Sequence, residues 1–140
     1  MTRIFVPRDS AALALGADAL AAAIADEAAR RGVAIELVRN GSRGLLWLEP
    51  LVEVDTPAGR VGYANVDAAE VASLFDAGFI EGKTHARHVG IVEEIPYLKK
   101  QQRLTFARIG ITDPLSIDDY VAHGGIEGLK QALATDGAAA

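Results

Sequence analysis

The chain contains no cysteine. Composition alone therefore excludes disulfides, a thiol nucleophile, a cysteine-ligated zinc and a cysteine-ligated iron–sulfur cluster. Aromatic residues are scarce, at 6% of 140 residues with a single tryptophan. No apolar run approaches the roughly 18 residues that a membrane-spanning helix needs. Basic residues are in the minority: 14 Lys and Arg stand against 19 Asp and Glu, for a net charge of −5. A nucleic-acid binder carries a basic face, so this balance argues against that class. The N-terminus runs straight into Ile4-Phe5-Val6 without the basic-then-apolar layout of a secretory signal. A cytoplasmic location is the expectation. What remains is the make-up of a globular protein, 50% hydrophobic and 24% charged.

Periodicity then orders the chain. Arg3 to Val6 is a short apolar segment stopped by Pro7, and Asp9 or Ser10 is placed to cap the next element. Leu13, Ala17, Leu20, Ile24 and Ala28 recur at three- and four-residue steps, one face of a helix that Gly32 ends. Val33, Ile35 and Leu37 alternate as in a strand. Leu51–Val54 and Arg60–Tyr63 read as a hairpin around the turn residues 55–59. Asp67, with Glu70 three residues on, predicts a capping box for a helix that buries Val71, Leu74 and Phe75. Strand–helix–strand followed by strand–strand–helix predicts an α/β sandwich of the thioredoxin type, with a ferredoxin-like sandwich as the alternative from pattern alone.

Beyond residue 82 the character changes. Large apolar residues thin out to Ile95, Tyr97, Leu98, Leu104 and Phe106, and two short helices are predicted around Ile117–Val121 and Ile126–Leu133. The chain therefore reads as a domain over 1–82 and a helical extension over 83–140 that packs on something else. Its exposed apolar face makes self-association of the isolated chain an expectation.

Chemistry-bearing residues are few. His85 and His88 are three apart, a spacing metal ligands can have, but no third ligand cluster accompanies them and surface histidines are the alternative. His123 sits where it would neutralise a helix C-terminus. Glu93-Glu94 and Asp118-Asp119 are adjacent pairs whose side chains point apart, which does not suit an acid–base dyad. Ser10 and Ser42 have no histidine nearby in sequence to act as base. The loop Gly41-Ser42-Arg43-Gly44 can present backbone N–H groups to an anion or a partner, with Arg43 as counter-charge, or serve as a structural turn. No catalytic constellation emerges.

Two segments carry a resemblance. Gln101-Gln102-Arg103-Leu104-Thr105-Phe106-Ala107-Arg108-Ile109-Gly110, then Asp113-Pro114-Leu115-Ser116, Tyr120 and Gly124-Gly125, resembles the opening of flavin-containing, NADH-binding subunits related to respiratory complex I. Asn40-Gly41-Ser42-Arg43-Gly44-Leu45-Leu46-Trp47-Leu48-Glu49-Pro50-Leu51-Val52-Glu53-Val54 resembles the fused N-terminal domain of the beta subunit of soluble NAD-dependent formate dehydrogenases. That domain is similar to the thioredoxin-like [2Fe–2S] ferredoxin. Cluster-binding members hold iron through two pairs of cysteines. The resemblance sets Pro7 and Ala12 at the first pair, and Ser42 and Leu46 at the second, with Gly44 as the central glycine. It thus implies the fold, while the residues deny this chain a cluster.

The resemblance further implies a parent subunit that binds FMN, NAD and a [4Fe–4S] cluster, none of whose binding segments falls within these residues. This chain would be a non-catalytic domain among sibling subunits of a complex that turns formate and NAD⁺ into CO₂ and NADH. The equivalent domain of a soluble NAD-reducing hydrogenase or of a complex I-like NADH dehydrogenase is an alternative. A free-standing anion- or protein-binding module that uses Gly41–Gly44 is another.

Overall fold

A computed structural model describes residues 1–135. Five strands form one sheet: β1 (Thr2–Phe5), β2 (Ile35–Val38), β3 (Val52–Thr56), β4 (Gly59–Tyr63) and β5 (His88–Ile91), in the order β2-β1-β3-β4-β5. β1 and β2 are parallel, because the helical crossover between them brings the chain back in the same direction. The remaining pairs are antiparallel. The predicted thioredoxin-type sandwich is the observed architecture.

One face of the sheet carries the main core. Ile4 and Val6, Val52 and Val54, and Val61 and Tyr63 alternate onto it, where they meet helix α2 (Ala17–Arg31) and helix α3 (Val71–Asp76). Ala17, Leu20, Ile24 and Ala28 of α2 are buried there, as their spacing predicts. Leu13 is not. Gly16, at φ +91°, breaks the expected single helix into α1 (Ser10–Ala14) and α2, and Leu13 ends up exposed on the far side of the break. Asp9 rather than Ser10 caps α1, accepting from the N–H groups of Ala11 and Ala12.

The hairpin is tighter than predicted. Thr56 Oγ1 donates to the Gly59 carbonyl at 2.7 Å and accepts from Ala58 N–H, so only Pro57 and Ala58 remain outside the strands. The Asp67–Glu70 capping box forms, opening with a 3₁₀ turn over Ala68–Glu70. Tyr63 donates its hydroxyl to the Lys83 carbonyl at 2.6 Å, and burial pushes its pKa up to about 12.

The sheet continues past residue 82. β5 pairs with β4 across a bulge at Gly62/Tyr63. Sequence patterning missed it because only Val89 and Ile91 are large and apolar in a four-residue edge strand next to a polar loop. The pairing also needs Gly62: a β-carbon there would lie 2.9 Å from methyls of both Val89 and Val92. Val92 and Leu98 of the predicted extension close a second, smaller core with Leu45, Leu51 and Ala64. Leu98 belongs to α4 (Pro96–Lys99). The two helices predicted last in the chain are present as α5 (Ile117–Ala122) and α6 (Glu127–Ala134), and neither buries a residue. Asp136, Gly137 and the three closing alanines of the predicted extension lie outside the described residues. No helix among the described residues is long and apolar enough to cross a membrane.

A buried apolar side chain contributes roughly 1.5–3 kcal/mol, and ordering a residue costs about 1–2 kcal/mol of backbone entropy. With nothing buried, α5 and α6 are the least protected elements. In a dilute monomer, amide hydrogen exchange is expected to be fast across residues 117–134 and slow in β1 and β3. Equal protection in the two regions would refute this ordering.

Candidate functional site

The second face of the sheet is polar at its centre. The alternation that sends Val52 and Val54 into the main core sends Glu53 to the opposite side, where it is 1% exposed. Arg43 reaches it from the loop after β2, with Nε and Nη2 donating to the two carboxylate oxygens at 2.8 and 2.7 Å. This is the bidentate geometry for which guanidinium is suited. Arg43 also donates to Glu93. Burial alone would lower the Arg43 pKa, but Glu53 and Glu93 outweigh it and hold it above the ordinary arginine range. Arg60 approaches Glu53 from β4 at 3.4 Å, and its guanidinium lies 3.5 Å from the centre of the Phe5 ring. Burial holds its pKa below the ordinary arginine range.

This buried pair receives the segment over 101–111. Asn40 Nδ2 and Arg60 Nη1 both donate to the Gly110 carbonyl, at 2.7 and 2.9 Å. Arg60 Nη2 donates to Ile111 O, and Arg103 donates to the Arg43 carbonyl. Gly110 has φ +77°, and a β-carbon on it would overlap Cγ and Cδ of Arg43. Only glycine lets the backbone approach so closely. The segment is a strap bolted down by its backbone. It borders an open cleft of about 520 Å³ lined by Asp9, Gly41, Ser42, Arg43, Gly44, Leu46, Tyr97 and the strap residues Gln101, Arg103, Phe106 and Ile109.

The loops after β1 and β2 are tied to each other as well. Arg39 donates to the carbonyls of Val6 and Pro7 and to Asp18, while Arg8 N–H donates to Asn40 O. Ser42 donates its hydroxyl to Glu49 Oε1 at 2.6 Å and accepts from Gly44 N–H. Glu49 is 3% exposed and accepts from Leu51 N–H through its other oxygen. Burial raises its pKa, against the hydrogen bonds from Ser42 and Leu51, and Asp9 and Glu53 raise it further.

The loop Gly41–Gly44 is thus placed at a cleft, but the Arg43 charge is turned away into Glu53 and Glu93. Glu93 and Glu94 diverge as expected, Glu94 going to Lys99. His88 N–H donates to the His85 carbonyl, but the two rings turn to different partners. His85 Nε2 meets Ser73 Oγ at 3.2 Å, while His88 packs edge-on to Tyr63. Among the described residues no group of three His, Cys, Asp or Glu side chains is placed to hold a metal. His123 ends α5 and contacts Asp119, and Ser116 caps the same helix. Asn40, Glu49, Glu53 and Arg60 were absent from the sequence-derived candidates. Only Glu53 carried a signal, as a lone acid in an apolar strand.

No family model and no curated protein matches the chain. Among solved structures it is similar to the wild-type thioredoxin-like [2Fe–2S] ferredoxin from Aquifex aeolicus, with a TM-score of 0.53, 16% identity, and coverage of 64% of this chain and 97% of that one. A second structure of a thioredoxin-like [2Fe–2S] ferredoxin from that organism matches with a TM-score of 0.52, 15% identity and 63% and 88% coverage. A cysteine-to-serine variant gives 0.53, 16%, 64% and 99%. This chain has a thioredoxin-like α/β fold.

An iron–sulfur cluster does not fit the residues present. Of the four positions the resemblance assigns to cluster ligands, Pro7 and Ala12 are buried hydrocarbon, and Leu46 is an exposed hydrocarbon side chain. Ser42 offers one hydroxyl, already engaged by Glu49 and Gly44. Iron–sulfur clusters are held by thiolates, occasionally with imidazole, and none is on offer here.

Two outcomes are expected from the buried charges. Arg43→Met strands Glu53 with only the longer Arg60 contact and is expected to cost about 3–5 kcal/mol in urea unfolding, whereas Arg43→Met/Glu53→Met costs less than the single change. A single variant as stable as the parent would contradict the central role of the pair. For Glu49, the folded-state pKa lies above its ordinary value of 4.5. Above that value, and through the raised pKa, the folded chain binds more protons than the unfolded one, so stability falls as pH rises. Glu49→Gln, whose carbonyl accepts from Leu51 and whose amide donates to Ser42, is expected to be more stable than the parent at neutral pH. That advantage shrinks in acid. A difference independent of pH would rule the assignment out.

Proposed function

We propose that this chain is the N-terminal domain of the NADH- and FMN-binding beta subunit of a soluble NAD-dependent formate dehydrogenase. It is a cytoplasmic assembly domain of an electron-transfer complex and carries no redox group of its own. The observation behind this reading is a ferredoxin-type thioredoxin sheet whose cluster-ligand positions hold Pro7, Ala12, Ser42 and Leu46, with a clamp of arginines and glutamates between the loops instead. The tail supports the same reading. Arg103 and Gly110 both lie in the segment that resembles the flavin subunits, and both dock on the clamp. The tail thus leaves the sheet from a fixed point.

On this reading FMN, NAD and a [4Fe–4S] cluster belong to the rest of the parent subunit. The siblings of that subunit supply the oxidation of formate to CO₂, with NAD⁺ reduced to NADH. This domain contributes shape: it holds its neighbours in register and needs no chemistry of its own.

Sequencing the transcript across codon 140 tests the subunit assignment. Continuation into a glycine-rich flavin-binding loop is expected, and a stop codon there would overturn it in favour of a free-standing module. Iron and labile sulfide, assayed on anaerobically prepared protein, are both expected to be absent. Stoichiometric amounts of the two would sink the cluster-free role. Purification of the native complex then identifies the parent: a formate-oxidising sibling is expected, and a hydrogen-oxidising one would move the domain to a hydrogenase.

A further inference from the structure

The tail is segregated by charge. Residues 95–112 contain Lys99, Lys100, Arg103 and Arg108 and no acid, while residues 113–127 contain Asp113, Asp118, Asp119 and Glu127 and no Lys or Arg. A basic block with four charges is followed directly by an acidic block with four. Among the described residues no ion pair joins the two blocks. Lys99 goes to Glu94, Asp119 meets His123, and Glu127 meets Lys130.

Both blocks also present apolar side chains outward. The strap is held by its backbone, so its large side chains face solvent: Leu104 is 92% exposed and Phe106 61%. In the acidic block Leu115 is 72% exposed and Ile117 74%. A groove of about 400 Å³ runs between the blocks, lined by Leu104, Arg108, Pro114 and Tyr120 among others. Exposed apolar surface rimmed by charge marks an interaction site.

From this pattern we infer that the tail face is a self-complementary docking surface whose partner is a second copy of this chain. A partner of one sign, whether an acidic protein or an anionic lipid surface, gains from one block and is repelled by the other. A two-fold axis through the groove instead lays the basic block of each copy on the acidic block of the other. That is the requirement of an isologous interface, in which residue i meets j and j meets i. Leu104 and Phe106 then cover Leu115 and Ile117 of the second copy. The strap, fixed by Asn40, Arg60 and the Gly110 backbone, is already ordered, so its half of the surface docks at little additional entropy cost, while α5 and α6 gain order on docking. The inference stands apart from the proposed parent complex, since it depends only on the tail surface.

Sedimentation equilibrium of the full chain, from micromolar to near-millimolar concentration, tests it at low and high salt. A monomer–dimer equilibrium weakened by salt is expected. Leu104→Asp, at a position that buries nothing, abolishes the dimer while circular dichroism stays unchanged. Lys100→Glu/Arg108→Glu and Asp118→Lys/Glu127→Lys each weaken self-association more than about tenfold, because like charges then face each other. Mixing these two variants restores a heterodimer. A chain that stays monomeric at low salt overturns the inference. So does a dimer indifferent to Leu104→Asp, or a mixture of the charge-reversed variants that fails to associate.

Discussion

The bidentate pair of Arg43 with Glu53 organises everything on the second face of the sheet. A carboxylate in the middle of a strand, 1% exposed, carries a large desolvation cost unless a cation or a proton neutralises it, and here a cation does. The cation comes from a loop with no regular structure of its own, so the pair fixes that loop against the sheet. Once Arg43 is fixed, its backbone carbonyl receives Arg103, its side chain sets the clearance that Gly110 must meet, and Glu93 closes the far side. Buried ion pairs are often no more stabilising than a hydrophobic replacement. What this one supplies is a single allowed arrangement for three segments that hydrophobic packing alone would leave loose.

The same economy shows in the loops that flank it. The loops after β1 and β2 are held by Arg39 on the Val6 and Pro7 carbonyls and by Asn40 on the Gly110 carbonyl, side-chain donors meeting backbone acceptors. Arginine suits the task because one planar group satisfies several buried carbonyls at once and keeps its charge at every physiological pH. Glu49 is the exception in the network. It is buried between Ser42 and Leu51 with no ion pair among the described residues, and burial raises its pKa.

How much of this was legible beforehand depended on the range of each interaction. The α2 stripe, the capping box at Asp67 and the hairpin were readable because their determinants lie within four residues of one another. Gly16 was visible as a weak point in a helix, but whether it bends or breaks one is decided by packing that brings Ala12 and Ala17 into the same core. β5 escaped because its evidence is Gly62 and the methyls of Val89 and Val92, residues whose proximity exists only in the folded sheet. The clamp escaped for a similar reason. Arg43, Glu53, Arg60, Glu93 and Gly110 are scattered over residues 43–110, and nothing local marks a charged residue as buried. The loop Gly41–Gly44 reads as backbone N–H groups with Arg43 as counter-charge for an anion or partner, whereas in the structure the Arg43 side chain faces inward onto Glu53.

The single tryptophan, Trp47, sits outside both cores, more than half exposed and packed edge-on to Tyr97 with the ring centres 5.2 Å apart. The main core is built from Tyr63, Phe75 and Phe79, which stack edge-to-face among themselves. The optical properties of the protein are therefore divided by location. Indole absorption and emission belong to the rim where the loop after β2 meets α4, whereas phenol absorption is shared by Tyr63 in the sheet, Tyr97 beside the indole and Tyr120 on α5. Light absorbed by the core tyrosine and light emitted by the rim indole report on two different parts of one molecule.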